Sequence, residues 1–322
     1  MAKEERIELL KGFEKRRKSR AILFVLGDRQ PIQLFGTLIA MDIIPLTQKL
    51  VGKMSQSKKI SLIIYSAGGD LFTPWPLVNL LRGFAKELEV IVLRKALSAA
   101  TLVSLGSDRI VMCPFSNLSA IDPQGTFQTP EGKIEQISIE DILKFIEFAR
   151  EKIGLKDRAG KIEILKALGR IDPKVLGNIN RTHSLILKLA TDLLKLRSKN
   201  RLSDTQIKNV VSNLTEKTFA HMHLIGRSEA KNKIGLGSMI EFADEKTNEL
   251  MENMYTIVES DLQLETPFDL QEELKRNAPN AVTVTATRSI AQSTDLNYEG
   301  KSTIVIHPNG QVQQPSFKWE LV

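Results

Sequence analysis

Two short stretches hold the residues best suited to acyl transfer. The first, Ser66-Ala67-Gly68-Gly69-Asp70, closes an apolar run, Ile60 to Tyr65. The second, Leu93-Arg94-Lys95-Ala96-Leu97-Ser98-Ala99-Ala100-Thr101, sets one serine among small residues where another apolar run gives way to helix-forming sequence. Acyl transfer needs a nucleophile and donors aimed at the oxygen on which charge develops. Glycine permits positive φ and close backbone approach, so Gly68 and Gly69 suit the donors. Ser98, taken alone, reads as a helix N-cap. The same place also sets its hydroxyl beside free N–H groups at a positive helix end, with Ala99 N–H as a second donor. Gly-Gly turns are common for steric reasons, so neither stretch is specific alone. The pair is more telling than either: beside the capping reading it allows Ser98 a nucleophile's role, with Gly68, Gly69 and Ala99 around the oxyanion.

The elements that must position these residues follow from the hydrophobic pattern. Residues 3–18 space Ile7, Leu10 and Phe13 as a helix. Buried strands are expected at 21–26, 60–65, 89–93 and 109–112, with helices at 40–54, 76–87 and from Ser98 to about Leu105 between them. Continuous apolar strands alternating with helices predict a parallel sheet covered on both faces. Its chemistry belongs at the carboxyl ends of the strands. From 138 to 265 the pattern is helical: Ser138 caps one helix, Asp172-Pro173 opens another to about Leu196, and Ser203-Asp204 caps a third. The last residues change again, to alternating Val282-Thr283-Val284-Thr285 and a hairpin around Pro308-Asn309-Gly310. This tail is expected to be a small β appendage that packs on a neighbour or another subunit.

Composition narrows the function classes. The 322 residues are 42% hydrophobic and 26% charged, ordinary for a globular chain of one large domain with appendages or of two domains. No apolar run is long enough to span a bilayer, and the first twenty residues lack an apolar core with a cleavage site. Cys113 is the single cysteine, which excludes an intrachain disulfide. A cytoplasmic location is therefore expected. The net charge of +7 allows an anionic partner. Its densest run, Lys15 to Lys18, lacks aromatic interleaving, zinc spacing or a recognition-helix pattern, and reads as a solvated helix end. No specific nucleic-acid partner is expected, and membrane association is left open. No histidine–carboxylate cluster has metal spacing and no Walker loop is present, so neither metal nor other cofactor is expected.

Four stretches taken together resemble the serine dehydrogenase proteinase family. They are Ser66 to Asp70, Lys95 to Leu102, Ser107-Asp108-Arg109-Ile110-Val111-Met112, and Ile121-Asp122-Pro123-Gln124. That family is similar to signal peptide peptidase A and, further off, to the Clp protease proteolytic subunit. Leu214-Thr215-Glu216, His221, Ile225, Glu229-Ala230 and Gly235-Leu236 resemble the segment that closes a Clp-type core. The resemblance covers roughly residues 20–240. It implies an α/β fold of the Clp/crotonase type, a spiral of ββα units with a helical insertion and the C-terminal β appendage. It also implies self-association into a homo-oligomer and hydrolysis of peptide bonds in peptides or unfolded proteins. Ser98 falls on the family's nucleophile and Gly68 or Gly69 on its oxyanion glycine. The organisation expected is an N-terminal helix (1–20), a Clp/crotonase-like core (21–137), a helical insertion with the closing segment of the core (138–265) and the β tail (266–322).

The general base departs from the family pattern. Where a Clp protease carries histidine this chain has Ile121-Asp122-Pro123-Gln124, and where the signal peptide peptidase group carries lysine it has Gln136-Ile137-Ser138-Ile139. Lys133 and Lys144 flank that place and read as surface lysines. Of His183, His221, His223 and His307, His221 and His223 lie near the place of the family's third triad residue. A rearranged site follows: His221 as base, oriented by Asp122, activating Ser98. Cys113 reads as a small buried hydrophobe, and Trp75 as lining either a substrate groove or the core edge. The reading is an ATP-independent serine endopeptidase. Its alternatives are a non-catalytic oligomeric scaffold of the same fold and, less favoured, a crotonase-like acyl-CoA enzyme, which gives Ser98 no role.

Overall fold

A computed structural model describes residues 2–54, 57–121, 124–128, 134–169, 171–199, 201–215, 223–277 and 280–322. The chain opens with α1 (Ala2–Arg17), β1 (Arg20–Leu26), α2 (Ile32–Phe35), α3 (Ile43–Lys53), β2 (Lys59–Ser66), α4 (Pro74–Phe84), β3 (Glu87–Ala96), α5 (Ala99–Leu105) and β4 (Arg109–Met112). Strands β1 to β4 pair in parallel, in sequence order. Each reads as an apolar run because both faces are covered. In β1 the period-two alternation sends Ile22, Phe24 and Leu26 to one core and Ala21, Leu23 and Val25 to the other. The first core is covered by α3, α4 and α5, the second by α1 and the later α11 (Glu245–Leu262).

Next come β5 (Asn117–Ser119), a hairpin of β6 (Gln124–Gln128) and β7 (Ile134–Ser138), and the helical insertion. The insertion holds α6 (Ile139–Glu147), which widens into a π turn over Phe148–Lys152, then α7 (Arg158–Leu168), α8 (Pro173–Lys195) and α9 (Asp204–Thr215). Asp172 caps α8 through its carboxylate, with proline at the first helical position as the sequence indicates. Helix α8 lays Ile186, Ala190, Leu193 and Leu194 into the first core. β8 (Leu224–Gly226), α10 (Arg227–Asn232) and β9 (Ile240–Phe242) close the core, with β9 parallel to β4 and β8 antiparallel to β5. After α11 and α12 (Leu270–Asn277), the chain ends in β10 (Val282–Gln292), β11 (Asn297–Ile306) and β12 (Val312–Leu321).

The architecture is thus α/β, as expected: a main sheet, a second short layer of β5 and β8, a helical insertion and a β appendage. The appendage differs from expectation in its packing. β10 pairs antiparallel with β1, giving one sheet of order β12-β11-β10-β1-β2-β3-β4-β9. It therefore packs on its own core, because β1 would otherwise leave a row of unpaired backbone groups. The basic end of α1 is exposed at Lys15, Arg16 and Lys18, as expected, but Arg17 turns inward. Arg17 is 10% exposed and reaches Glu89, itself 1% exposed, and Glu241; Arg16 pairs with Asp244. Burial disfavours the Glu89 carboxylate, but hydrogen bonds from Arg17 and the charge of Lys59 outweigh it and hold its pKa below the ordinary value. These charges staple α1 to the amino ends of β3 and β9.

Candidate active site

The site is built by one strand that belongs to two layers. β3 pairs with β4 from Glu89 to Val92, then with β5 at Lys95 and Ala96. The switch is made at a bulge, where Ile64 faces Val92 but Ser66 faces Ala96. Arg94 takes φ +69° there. Its guanidinium lies 4.4 Å from the Tyr255 ring and 4.9 Å from the Phe115 ring, and pairs with Glu252 at 2.8 Å. Lys95 pairs with Asp28, which also accepts from Tyr65 Oη at 2.8 Å. Burial and the Asp28 charge push the Tyr65 pKa far up, so its hydroxyl stays a donor. The bend delivers Leu97 and Ser98 beyond the end of β2, where Leu97 N–H donates to Ser66 C=O at 3.0 Å.

Ser98 occupies the N-cap position of α5 and caps nothing: its side chain makes no capping hydrogen bond, and its backbone sits at φ 49°, ψ −113°. Few non-glycine residues adopt that conformation, and where they do the surroundings enforce it. Here the enforcing bonds are explicit. Ser98 N–H donates to Ser119 Oγ at 2.8 Å, and Ser119 Oγ–H donates onward to Ala120 C=O. Thr101 Oγ1 donates to Ala96 C=O at 2.8 Å and accepts from Ser119 N–H at 3.2 Å. Ser98 C=O accepts from Leu102 N–H. Ser119 went unnoticed in the sequence; the only signal for it is a small polar residue ending an apolar strand.

The two motifs meet. Gly68 has φ +119°, and a Cβ placed on it would lie 2.9 Å from Ser98 Cβ and 3.4 Å from Ser98 Oγ. Only glycine fits between the turn and the serine. Gly69, at φ +149°, forms a parallel bridge with Ile39, and a Cβ there would lie 2.2 Å from Ile39 O. The bridge uses Gly68 C=O and Asp70 N–H, so Gly69's own N–H points away from Ile39. Gly68 N–H donates to Ser66 Oγ at 3.0 Å. Among the described residues, no acceptor takes Gly69 N–H or Ala99 N–H, and Ser98 Oγ has no partner. Asp70 holds the turn by accepting from Phe72 N–H and Thr73 Oγ1. Leu38 and Met41, either side of the bridging Ile39, and Phe72 and Trp75, which follow the glycine turn, are apolar and 36–67% exposed. Trp75 lies in the first turn of α4.

Asp122, Lys133 and His221 lie outside the described residues. The chain on either side of Asp122 and His221 is held close together: Ile121 N–H donates to Leu214 C=O at 3.0 Å, and Ser119 faces Leu224 across the β5–β8 pair. Ser119, on the strand beside β3, also accepts from Ser98 N–H. His223 pairs with Glu229 at 3.1 Å on an exposed surface. Lys144 pairs with Glu147 on an exposed turn of α6. His183 is in α8 and His307 at the β11–β12 turn. Cys113 is 1% exposed, its thiol 3.1 Å from Ser116 Oγ. Among the described residues, no cluster of three or more histidine, cysteine or acidic side chains could hold a metal, and no helix is long and apolar enough to cross a membrane.

No family model matches the chain. An uncharacterized protein of Methanocaldococcus jannaschii is 25% identical over 259 residues, 79% of this chain and 77% of that protein. Among solved structures, a mutant of the 1510-N membrane-bound stomatin-specific protease aligns over 67% of this chain and 79% of its own, with 16% identity and a TM-score of 0.36. A mutant of ClpP1 from Listeria monocytogenes aligns over 73% of this chain and 98% of its own, with 15% identity and a TM-score of 0.34.

Proposed function

We propose that the chain is a serine hydrolase that cleaves peptide bonds through an acyl-enzyme on Ser98. The observation that carries this reading is the contact between a strained, non-capping serine and a glycine turn that excludes any side chain. In the proposed reaction Ser98 Oγ attacks the scissile carbonyl carbon. The proton leaves to a base, for which His221 oriented by Asp122 is the proposal. The oxygen that gains charge is met by Ala99 N–H at the positive end of α5 and by an amide of the Gly68-Gly69 turn. Collapse of the tetrahedral intermediate returns the proton to the leaving amine and leaves an ester on Ser98. Water, activated by the same base, releases the acid. No nucleotide enters the reaction. The exposed apolar side chains of Leu38, Met41, Phe72 and Trp75 favour extended segments with apolar side chains, as in peptides or unfolded proteins.

The test is a fluorophosphonate probe on wild type and Ser98→Ala, with the labelled residue read by mass spectrometry. Label on Ser98, absent in the variant, is the expected result. His221→Ala and Asp122→Ala should then slow labelling, while Lys133→Ala and Lys144→Ala should not. An unlabelled but folded wild type would overturn the reading in favour of a scaffold.

A further inference from the structure

The main sheet ends on one side in β12, which pairs only with β11 among the described residues. Val322 N–H donates to Asn297 C=O at 2.9 Å, which sets the alternation along the strand. Glu320 and Lys318, facing Glu299 and Lys301, turn their backbone groups towards β11. Phe317, Trp319 and Leu321 therefore turn their N–H and C=O groups outward. Pro315 has no N–H to offer, so the free edge is the run 317–321. Natural edge strands of this kind are defended or used.

The side chains on this edge are complementary to themselves. On one face Lys318, 74% exposed, and Glu320, 34% exposed, pair with each other at 2.6 Å within the strand, an ion pair that can be exchanged between copies. On the other, Phe317 is 37% and Leu321 63% exposed, flanking Trp319, whose indole N–H is fixed to Asp42 at 2.9 Å. We propose that β12 pairs antiparallel with β12 of a second copy, about a two-fold axis at Trp319. In that register Lys318 of each copy faces Glu320 of the other, and Phe317 faces Leu321. The outward backbone groups of Phe317, Trp319 and Leu321 then form about six hydrogen bonds. Centring the axis on residue 318 sets Lys318 against Lys318, and centring it on 320 sets Glu320 against Glu320. The charges thus select one register. The interface is isologous and joins two main sheets into one.

The test is the mass of this 322-residue chain by light scattering across a concentration series, with circular dichroism to confirm folding. Wild type should run at an even multiple of 36.1 kDa. Leu321→Pro removes only an outward N–H, so it should stay folded and halve the mass. Lys318→Glu should weaken association roughly ten-fold by setting like charges opposite each other twice per interface. The swap Lys318→Glu with Glu320→Lys should restore it. A wild type that stays at 36.1 kDa, a folded Leu321→Pro that keeps its mass, or a swap that fails to restore association would each overturn the proposal. None of these readouts depends on the activity of Ser98.

Discussion

Replacing the proposed nucleophile by glycine should make the protein more stable. Ser98 sits at φ 49°, ψ −113°, a region that costs a non-glycine residue about 1–3 kcal/mol and glycine almost nothing. Against this gain stands the greater freedom of glycine in the unfolded chain, about 0.4–1 kcal/mol. Ser98 Oγ has no partner among the described residues, so its loss costs no hydrogen bond there. The net expectation for Ser98→Gly is a gain of about 1 kcal/mol, or roughly 2 °C in Tm for a chain of this size. Ser98→Ala keeps Cβ and hence the strain, so its stability should stay within about 0.5 kcal/mol of wild type. Both variants should abolish fluorophosphonate labelling. The assay is urea unfolding of the three proteins side by side. A glycine variant less stable than the alanine variant would refute the reasoning, because a relaxed backbone at residue 98 penalises glycine.

Further expectations concern the supports of the site and the staple on α1. Gly68→Ala should destabilise by about 2–4 kcal/mol, from positive φ and a Cβ–Cβ approach of 2.9 Å to Ser98; unfolding titrations would show it, and Ser98→Gly should relieve the contact part of that cost. Ser119→Ala leaves Ser98 N–H without its acceptor, and should cost about 1–3 kcal/mol and slow probe labelling at least about ten-fold. Glu89→Gln leaves the buried Arg17 short of a counter-charge and should cost about 3 kcal/mol, read from the same titrations. The carboxylates that hold α1, Glu89, Glu241 and Asp244, are all depressed in the fold, Asp244 to about 2 by the Thr247 N–H above all. A depressed carboxylate contributes stability that is full above its unfolded value and lost as pH falls through its folded one. For Asp244 that window runs from 3.8 down to about 2, and hydrogen exchange there should show the first turn of α11, which Asp244 caps, opening before the main sheet.

Much of the core was legible because parallel strands buried on both faces leave unbroken apolar runs, as in Ile60–Tyr65. The ends of elements were less so. β3 runs from Glu87 to Ala96, past the expected end at Leu93, because Arg94 and Lys95 lie where the strand leaves one sheet for another and its faces are only half covered. The order of the tail strands was hidden because β10 finds its partner, β1, at the far end of the chain. Periodicity reports which face is buried, not which strand lies alongside. At the site, the residue types were readable but the choice between a capping and a strained Ser98 was not. That choice is set by backbone angles, which Ser119 and Thr101 enforce from distant positions.

The pairing of β10 with β1 also bears on how the protein is made. β1 leaves the ribosome early, while the strand that covers its outer edge follows some 250 residues later. At ordinary elongation rates that is a wait of tens of seconds. Throughout it, an almost wholly apolar strand, Ala21 to Leu26, presents bare amides and carbonyls to every neighbouring nascent chain. The protein therefore has a translational stage at which mispairing is favoured and a chaperone has something definite to shield. Slowing synthesis between α11 and β10 should lower the soluble yield more than slowing it after β11.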